Sequence, residues 1–279
     1  MSSDRRWQRN IVPLQIDGVD LQIAALVKPG TGTPLVFLHG FGSTKEDYAD
    51  AAWHPDLGNR PVLAYDAPGC GATTCSNLEA ISVPFLVRVA EAMITHVGYT
   101  RYHLIGHSMG GLTGLLLAHQ HPDQVASFVD IEGNLAPEDC FLSRQIISHH
   151  HQNPDAFLTE FAGRLTTSRY YSSNLFAASL PYKVRARAIE PIFTSMVDLS
   201  DNQPLMDWFL ALPAPRMLMY GDQNNTLSYL DRLQENSIEL AEIPQSGHFP
   251  MYANAPEMWR RINTFVRAEP KPERVRDNT

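Results

Sequence analysis

The stretch LIGHSMGGLTGLLLAH, residues 104–119, decides the reading of the whole chain. It starts as an apolar β-strand and finishes as an apolar helix, with a lone hydrophilic Ser108 between glycines at the changeover. Gly106-His107-Ser108-Met109-Gly110 fits Gly-x-Ser-x-Gly, and it has the strand before and the helix after that give this pattern chemical meaning. A turn this tight forces the serine into strained backbone geometry, and a Cβ on either flank would collide with the neighbouring strand or helix. The bend lifts the Ser108 hydroxyl above the carboxyl ends of the strands, where open α/β sheets bind their ligands. The first amides of the following helix have no intrahelical partner, so the Met109 N–H is free to meet a developing oxyanion. The bland alternative is a serine that merely caps a helix.

Outward from the bend, NIVPLQI and VDLQIAALV flank the turn signal Asp17-Gly18 and predict an opening hairpin. PLVFLHG (34–40), PVLAYD (61–66), RYHLIG (101–106) and ASFVDIE (126–132) read as buried strands, with helical stretches near 44–53, 82–97 and 109–120. Strands with helices between them predict a parallel sheet. From Pro137 to about Leu212 the segments are helix-compatible and are expected to break at Pro154, Pro181, Pro191 and Pro204. APRMLMYGD (214–222) and ENSIELAEIP (235–244) restore strands, and APEMWRRINTFVRAE (255–269) closes with an amphipathic helix. The expected organisation is a core of residues 1–133 and 213–268, a helical insertion over 134–212 and a disordered tail over 269–279.

At 279 residues with 44% apolar and 19% charged content, the chain can bury a full core as one large α/β domain carrying an insertion. A net charge of −8 offers no field to neutralise phosphates or an anionic surface, which argues against nucleic acid and membrane as partners. MSSDRRWQRN lacks the apolar stretch of a signal peptide, and no run approaches the roughly 18 apolar residues that span a bilayer. A soluble, cytoplasmic protein is expected. Cys70, Cys75 and Cys140, an odd count without a Cys-x-x-Cys pair, are expected to be free thiols. The run His149-His150-His151 has no carboxylate or cysteine at ligand spacing and reads as solvated surface, not as a metal site.

HGFG (39–42), DAPGCG (66–71), GHSMGG (106–111) and SGHFPMY (246–252), in this order, resemble the α/β-hydrolase superfamily with a helical cap, over residues 11 to 268. The resemblance implies an α/β-hydrolase fold, a mostly parallel eight-stranded sheet flanked by helices with the cap inserted after the sixth strand. It also implies a second oxyanion donor at the Phe41 N–H, a structural role for DAPGCG, and His248 as the base that a serine nucleophile requires. No metal or organic cofactor is implied. His39, His107 and His119 lie nearer to Ser108 in sequence, and His107 is expected to pack or to line the site. The chain departs from the family at the acid. Gly-x-x-Asp is common after the seventh strand, but here Gly221-Asp222-Gln223-Asn224 puts an amide where a carboxylate would stabilise imidazolium. Asp222 is one candidate. Glu132, at the end of the sixth strand in FVDIEGN, is preferred, because some relatives, including one group of haloalkane dehalogenases, carry their acid there. The bland reading of Glu132 is a cap on the sheet edge.

The chemistry this implies is attack by Ser108 on the carbonyl of a small-molecule ester or lactone, with Met109 and Phe41 amides holding the oxyanion. A serine at the bend argues against dehalogenase and epoxide hydrolase reactions, for which relatives use aspartate. Carbon–carbon bond hydrolysis, cofactor-independent oxygen chemistry and a non-catalytic ligand receptor are the alternatives. The insertion holds Phe141, Phe157, Phe161, Tyr170, Tyr171, Phe176, Phe193, Trp208 and Phe209. Some are expected to line an apolar pocket for a small to medium substrate, the rest to form the insertion's own core.

Overall fold

The computed structural model describes residues 7–55, 57–148, 153–168 and 171–267; His149-His150-His151, Tyr170 and the tail from 269 lie outside them. Asp17 (φ 51°) and Gly18 (φ 77°) form the expected turn, both left-handed as a two-residue hairpin demands. They join β1 (Gln8–Ile16) to β2 (Val19–Lys28). The other strands are β3 (Leu35–Leu38), β4 (Val62–Tyr65), β5 (Thr74–Cys75), β6 (Tyr102–His107), β7 (Val125–Ile131), β8 (Arg216–Gly221) and β9 (Glu239–Ile243).

The sheet runs β1-β2-β4-β3-β6-β7-β8-β9, parallel from β4 onward and antiparallel at β1 and β2. The eight expected strands are present; the two-residue β5, paired with β2 off this path, is a ninth that two residues gave no pattern to reveal. β3, β4, β6 and β7 are buried along their whole lengths, as parallel strands covered on both faces must be.

Helix α1 (Val83–His96) begins at Ser82, whose hydroxyl accepts from the Phe85 amide, and α2 (Met109–Gln120) follows the Ser108 bend. The stretch expected to be helical near 44–53 is a 3₁₀ helix, Lys45–Ala52. Between β7 and β8 run α3 (Phe141–Ile147), α4 (Pro154–Leu165), α5 (Tyr171–Lys183), α6 (Ile189–Asn202) and α7 (Leu205–Ala211). Pro154 opens α4 and Pro204 precedes α7. Pro181 and Pro191 break nothing. Pro191 is the third residue of α6, where an N–H would have no intrahelical partner, and Pro181 forgoes one ladder bond in the last turn of α5. The chain ends with α8 (Leu230–Glu235), α9 (Pro250–Ala253) and α10 (Ala255–Arg267), whose Trp259 stands edge-on to Phe37 at 5.8 Å. Among the described residues no helix is long and apolar enough to cross a membrane, and the three cysteines are free.

Two buried polar groups tie the loops above β3 and β4. Asp66 accepts from the Lys45 amide (2.9 Å), Lys45 Nζ (2.8 Å) and the Ala72 amide (2.8 Å). His39 Nδ1–H donates to the Gly40 carbonyl (2.7 Å) and Nε2 accepts from the Ala67 amide (2.8 Å); burial holds this imidazole neutral. DAPGCG is thus structural, and it also seats α5: the Gly71 amide donates to the Lys183 carbonyl (2.7 Å) and the Arg185 amide to Gly69 (2.9 Å). Behind the bend, Asp130 on β7 is wholly buried, and neither carboxyl oxygen has a hydrogen-bond partner among the described residues. Burial, aided by the charges of Asp139 and Glu132 and only partly opposed by the nearby Gly133 amide, pushes its pKa well above the ordinary value.

Two stability predictions follow from these groups. Lys45→Met strips the buried Asp66 carboxylate of its cation and is expected to lower unfolding free energy by about 3 kcal/mol, read from the urea midpoint. For Asp130, the raised folded pKa means that stability present below the ordinary value of 3.8 is lost as pH rises through the raised one. Asp130→Asn lacks that slope, so it is expected to gain on wild type by more than about 1 kcal/mol between pH 4 and pH 8. Parallel urea titrations at the two pH values measure the difference; a gap that does not widen refutes it.

Candidate active site

Ser108 takes φ 53° and ψ −119°, a region that side-chain-bearing residues seldom adopt. Its amide donates to the Ile131 carbonyl (2.8 Å), which anchors the end of β6 to β7. The glycines serve as the motif requires: a Cβ on Gly106 would lie 2.3 Å from the Gly110 oxygen, and one on Gly110 would lie 2.1 Å from the Leu38 oxygen. The Ser108 hydroxyl makes no capping bond to α2, so the helix-cap reading fails. Met109 is the first residue of α2, and its amide has no intrahelical acceptor.

Ser108, Phe41, Glu132 and His248 line one cavity of about 410 Å³. Glu132, at φ 53° just beyond β7, has its amide donating to the Met219 carbonyl (2.9 Å). Its carboxylate is almost wholly buried and lies 3.5 Å from His248 Nδ1 through Oε2. Oε1 accepts from the Gly221 amide (2.6 Å) and Oε2 from Asn224 Nδ2 (2.5 Å). Two donors therefore hold the carboxylate that faces His248. Asp222, the other candidate acid, turns away: its Oδ2 accepts from the Gln245 amide (2.9 Å), and it does not line the cavity.

His107 does not line the cavity either. It is buried, and its Nε2–H donates to the His248 carbonyl (2.8 Å). Sequence reasoning missed this tie and the Asn224 amide bond to Glu132. The amide at the usual acid position was the visible signal for the second; nothing local marked the first. His119 lies elsewhere, stacked on Trp208 at 4.4 Å.

The helices between β7 and β8 roof the cavity. Phe41 meets Phe193 of α6 edge-on at 4.7 Å, and Phe176 of α5 stacks on Phe249 at 4.3 Å. Of the insertion's aromatic residues, Phe141, Phe161, Phe176 and Phe193 line the cavity. Phe209 packs on Phe128, Phe157 on Phe161, and the Tyr171 hydroxyl donates to the carbonyls of Tyr252 and Ala253. Glu138 and Asp139 also line the cavity, while no Lys or Arg among the described residues does. Burial pushes the Asp139 carboxyl up to about 6, against the lowering effect of the Leu135 and Ala136 amides and the Tyr229 hydroxyl. Among the described residues no group of three or more His, Cys, Asp or Glu side chains is placed to hold a metal ion.

This architecture recurs in solved structures. A mutant of the N-acyl homoserine lactonase AidH complexed with N-hexanoyl homoserine superposes with a TM-score of 0.72 at 17% identity, covering 96% of this chain and 99% of that one. An esterase from Exiguobacterium antarcticum gives a TM-score of 0.73 at 14% identity, covering 93% and 100%. In sequence, the pimeloyl-[acyl-carrier protein] methyl ester esterase of Aeromonas hydrophila is 33% identical over 119 residues, 41% of this chain and 42% of that protein. Across the first such relatives the matched stretch spans from 25% to 50% of their own length. The model of the alpha/beta hydrolase family matches residues 35–261, most of the chain and every element of the site, and the protein belongs to that family.

Proposed function

We propose that the protein is a serine hydrolase that cleaves carboxylic esters or lactones through an acyl-enzyme on Ser108. The observation that carries this reading is the strained Ser108 facing the same cavity as His248, whose other ring nitrogen meets the buried Glu132 at 3.5 Å. In the mechanism, His248 Nε2 takes the hydroxyl proton as Ser108 Oγ bonds to the substrate carbonyl carbon. Glu132 stabilises the imidazolium and fixes its tautomer. The Met109 and Phe41 amides hold the oxyanion. His248 then gives its proton to the leaving oxygen, the carbon–oxygen bond breaks, and the acyl group remains on Ser108. Water, deprotonated by His248, attacks that ester; the acid leaves and Ser108 regains its proton.

Residues 134–212 act as the cap in this reading, and the cavity's size and aromatic lining suit a small to medium, largely apolar substrate. With Glu138 and Asp139 in the lining and no cation beside them, neutral substrates are favoured over anionic ones. Esterase and lactonase neighbours support the bond type without fixing the substrate.

The test is initial rates on p-nitrophenyl esters of rising acyl length. Ser108→Ala is expected to reduce kcat by about 10³-fold or more. Glu132→Gln is expected to lose about 10²- to 10⁴-fold, and Asp222→Asn less than about threefold. Full activity in Ser108→Ala overturns the serine mechanism; an Asp222→Asn loss matching that of Glu132→Gln overturns the assignment of the acid.

A further inference from the structure

His107 plays no part in the steps above, yet it is placed where two of the participating loops meet. Its Nε2 lies 2.8 Å from the His248 carbonyl oxygen, which only accepts, so the proton sits on Nε2. Nδ1 is buried and has no hydrogen-bond partner among the described residues. It faces Gly40, where a Cβ would lie 2.5 Å from Nδ1 and 3.0 Å from Cε1. Gly40 does not adopt a left-handed φ, so its backbone does not require glycine; the His107 ring does. The same ring lies 5.0 Å from the His248 ring and 5.7 Å from Phe249. Burial, together with the neighbouring His248 and His39, keeps the His107 pKa well below the ordinary histidine value, so the imidazole is neutral.

We propose that His107 is a positioning residue: its Nε2–H holds the His248 carbonyl, and thereby the His248 imidazole, in reach of the adjacent Ser108 hydroxyl, while its ring spaces the Gly40 loop. The proposal rests on the reading of Ser108 and His248 as nucleophile and base. The geometry explains why the residue preceding the nucleophile carries a ring with one donor. His107 and Ser108 are consecutive, so a clamp on His248 at 107 references the base to the nucleophile through one peptide unit. A leucine or phenylalanine would fill the space but leave the part-buried His248 carbonyl without this donor. The carbonyl would then be free to drift, and a misplacement of about 1 Å at a reacting group reduces rate about 10²-fold.

The experiment compares two variants and reads the tautomer in the unaltered protein. His107→Phe keeps a ring and removes the donor; kcat for a p-nitrophenyl ester is expected to fall about 10- to 100-fold with KM within about threefold. His107→Gln restores an N–H near the Nε2 position and is expected to recover kcat to within about fivefold of wild type. Wild-type kcat in His107→Phe overturns the proposal, as does a His107→Gln that is no better than His107→Phe. Imidazole ¹⁵N NMR of the wild-type protein from pH 5 to pH 9 needs neither variant to fold: a neutral Nε2–H form throughout supports the clamp, and an Nδ1–H form or a titration in that range overturns it. Ser108→Ala run alongside separates the two levels: retained activity there removes the nucleophile reading, whereas the NMR result reports on His107 without turnover.

Discussion

Contact between helix α2 and the backbone of strand β3 is the constraint on which the site depends, because no side chain can be inserted between them. The atoms facing Gly106 and Gly110 are backbone carbonyls, which have no rotamer to move into. On the other flank a Cβ at Gly111 would lie 2.2 Å from Asp130 Oδ1, and one at Gly133 would lie 2.0 Å from the same oxygen. The helix therefore enters at backbone contact with β3 on one side and against the Asp130 carboxylate on the other. Its unpaired amide ends and the Ser108 hydroxyl are left at one point.

The strain at that point is shared and restrained by hydrogen bonds that prolong the parallel ladder. Ser108 and Glu132 end adjacent strands with the same φ of 53°. Each such residue costs on the order of 1–3 kcal/mol. The Ser108 amide is held by the Ile131 carbonyl, the Glu132 amide by Met219, and the Gly221 amide by the Glu132 carboxylate. The proposed nucleophile and acid thus sit one strand apart on one edge of the sheet. The proposed base, His248, comes to them on a loop.

That difference explains what was legible in the sequence. The Ser108 bend, the opening hairpin and the parallel strands depend on neighbours within a few residues, and glycine spacing and apolar runs report such neighbours directly. The tie of His107 to His248 joins residues 141 apart, and that of Asn224 to Glu132 joins residues 92 apart. The first leaves no local trace, and the second shows only as an amide where Gly-x-x-Asp would place an acid. Pro181 and Pro191 misled for the opposite reason: the residue type is a strong local signal, but its effect depends on which turn of the helix it occupies. Asp222 remained open beside Glu132 because two positions along a loop decide whether a carboxylate faces the cavity or the Gln245 amide, and loop geometry is set by the packing around it.

The amide at Asn224 makes sense only together with the carboxylate at Glu132. Were both positions acidic, two carboxylates would share one buried spot, and like charge at that separation would drive one of them to hold a proton. A protonated acid would lose the negative charge that makes a histidine base effective. With Asn224 the second group becomes a donor. Its Nδ2 and the Gly221 amide hold the two Glu132 oxygens and fix the carboxylate against rotation. The chain's departure from Gly-x-x-Asp is therefore not an isolated loss at the end of β8. It accompanies a carboxylate at the end of β7 that faces His248 and that the Asn224 amide holds in place.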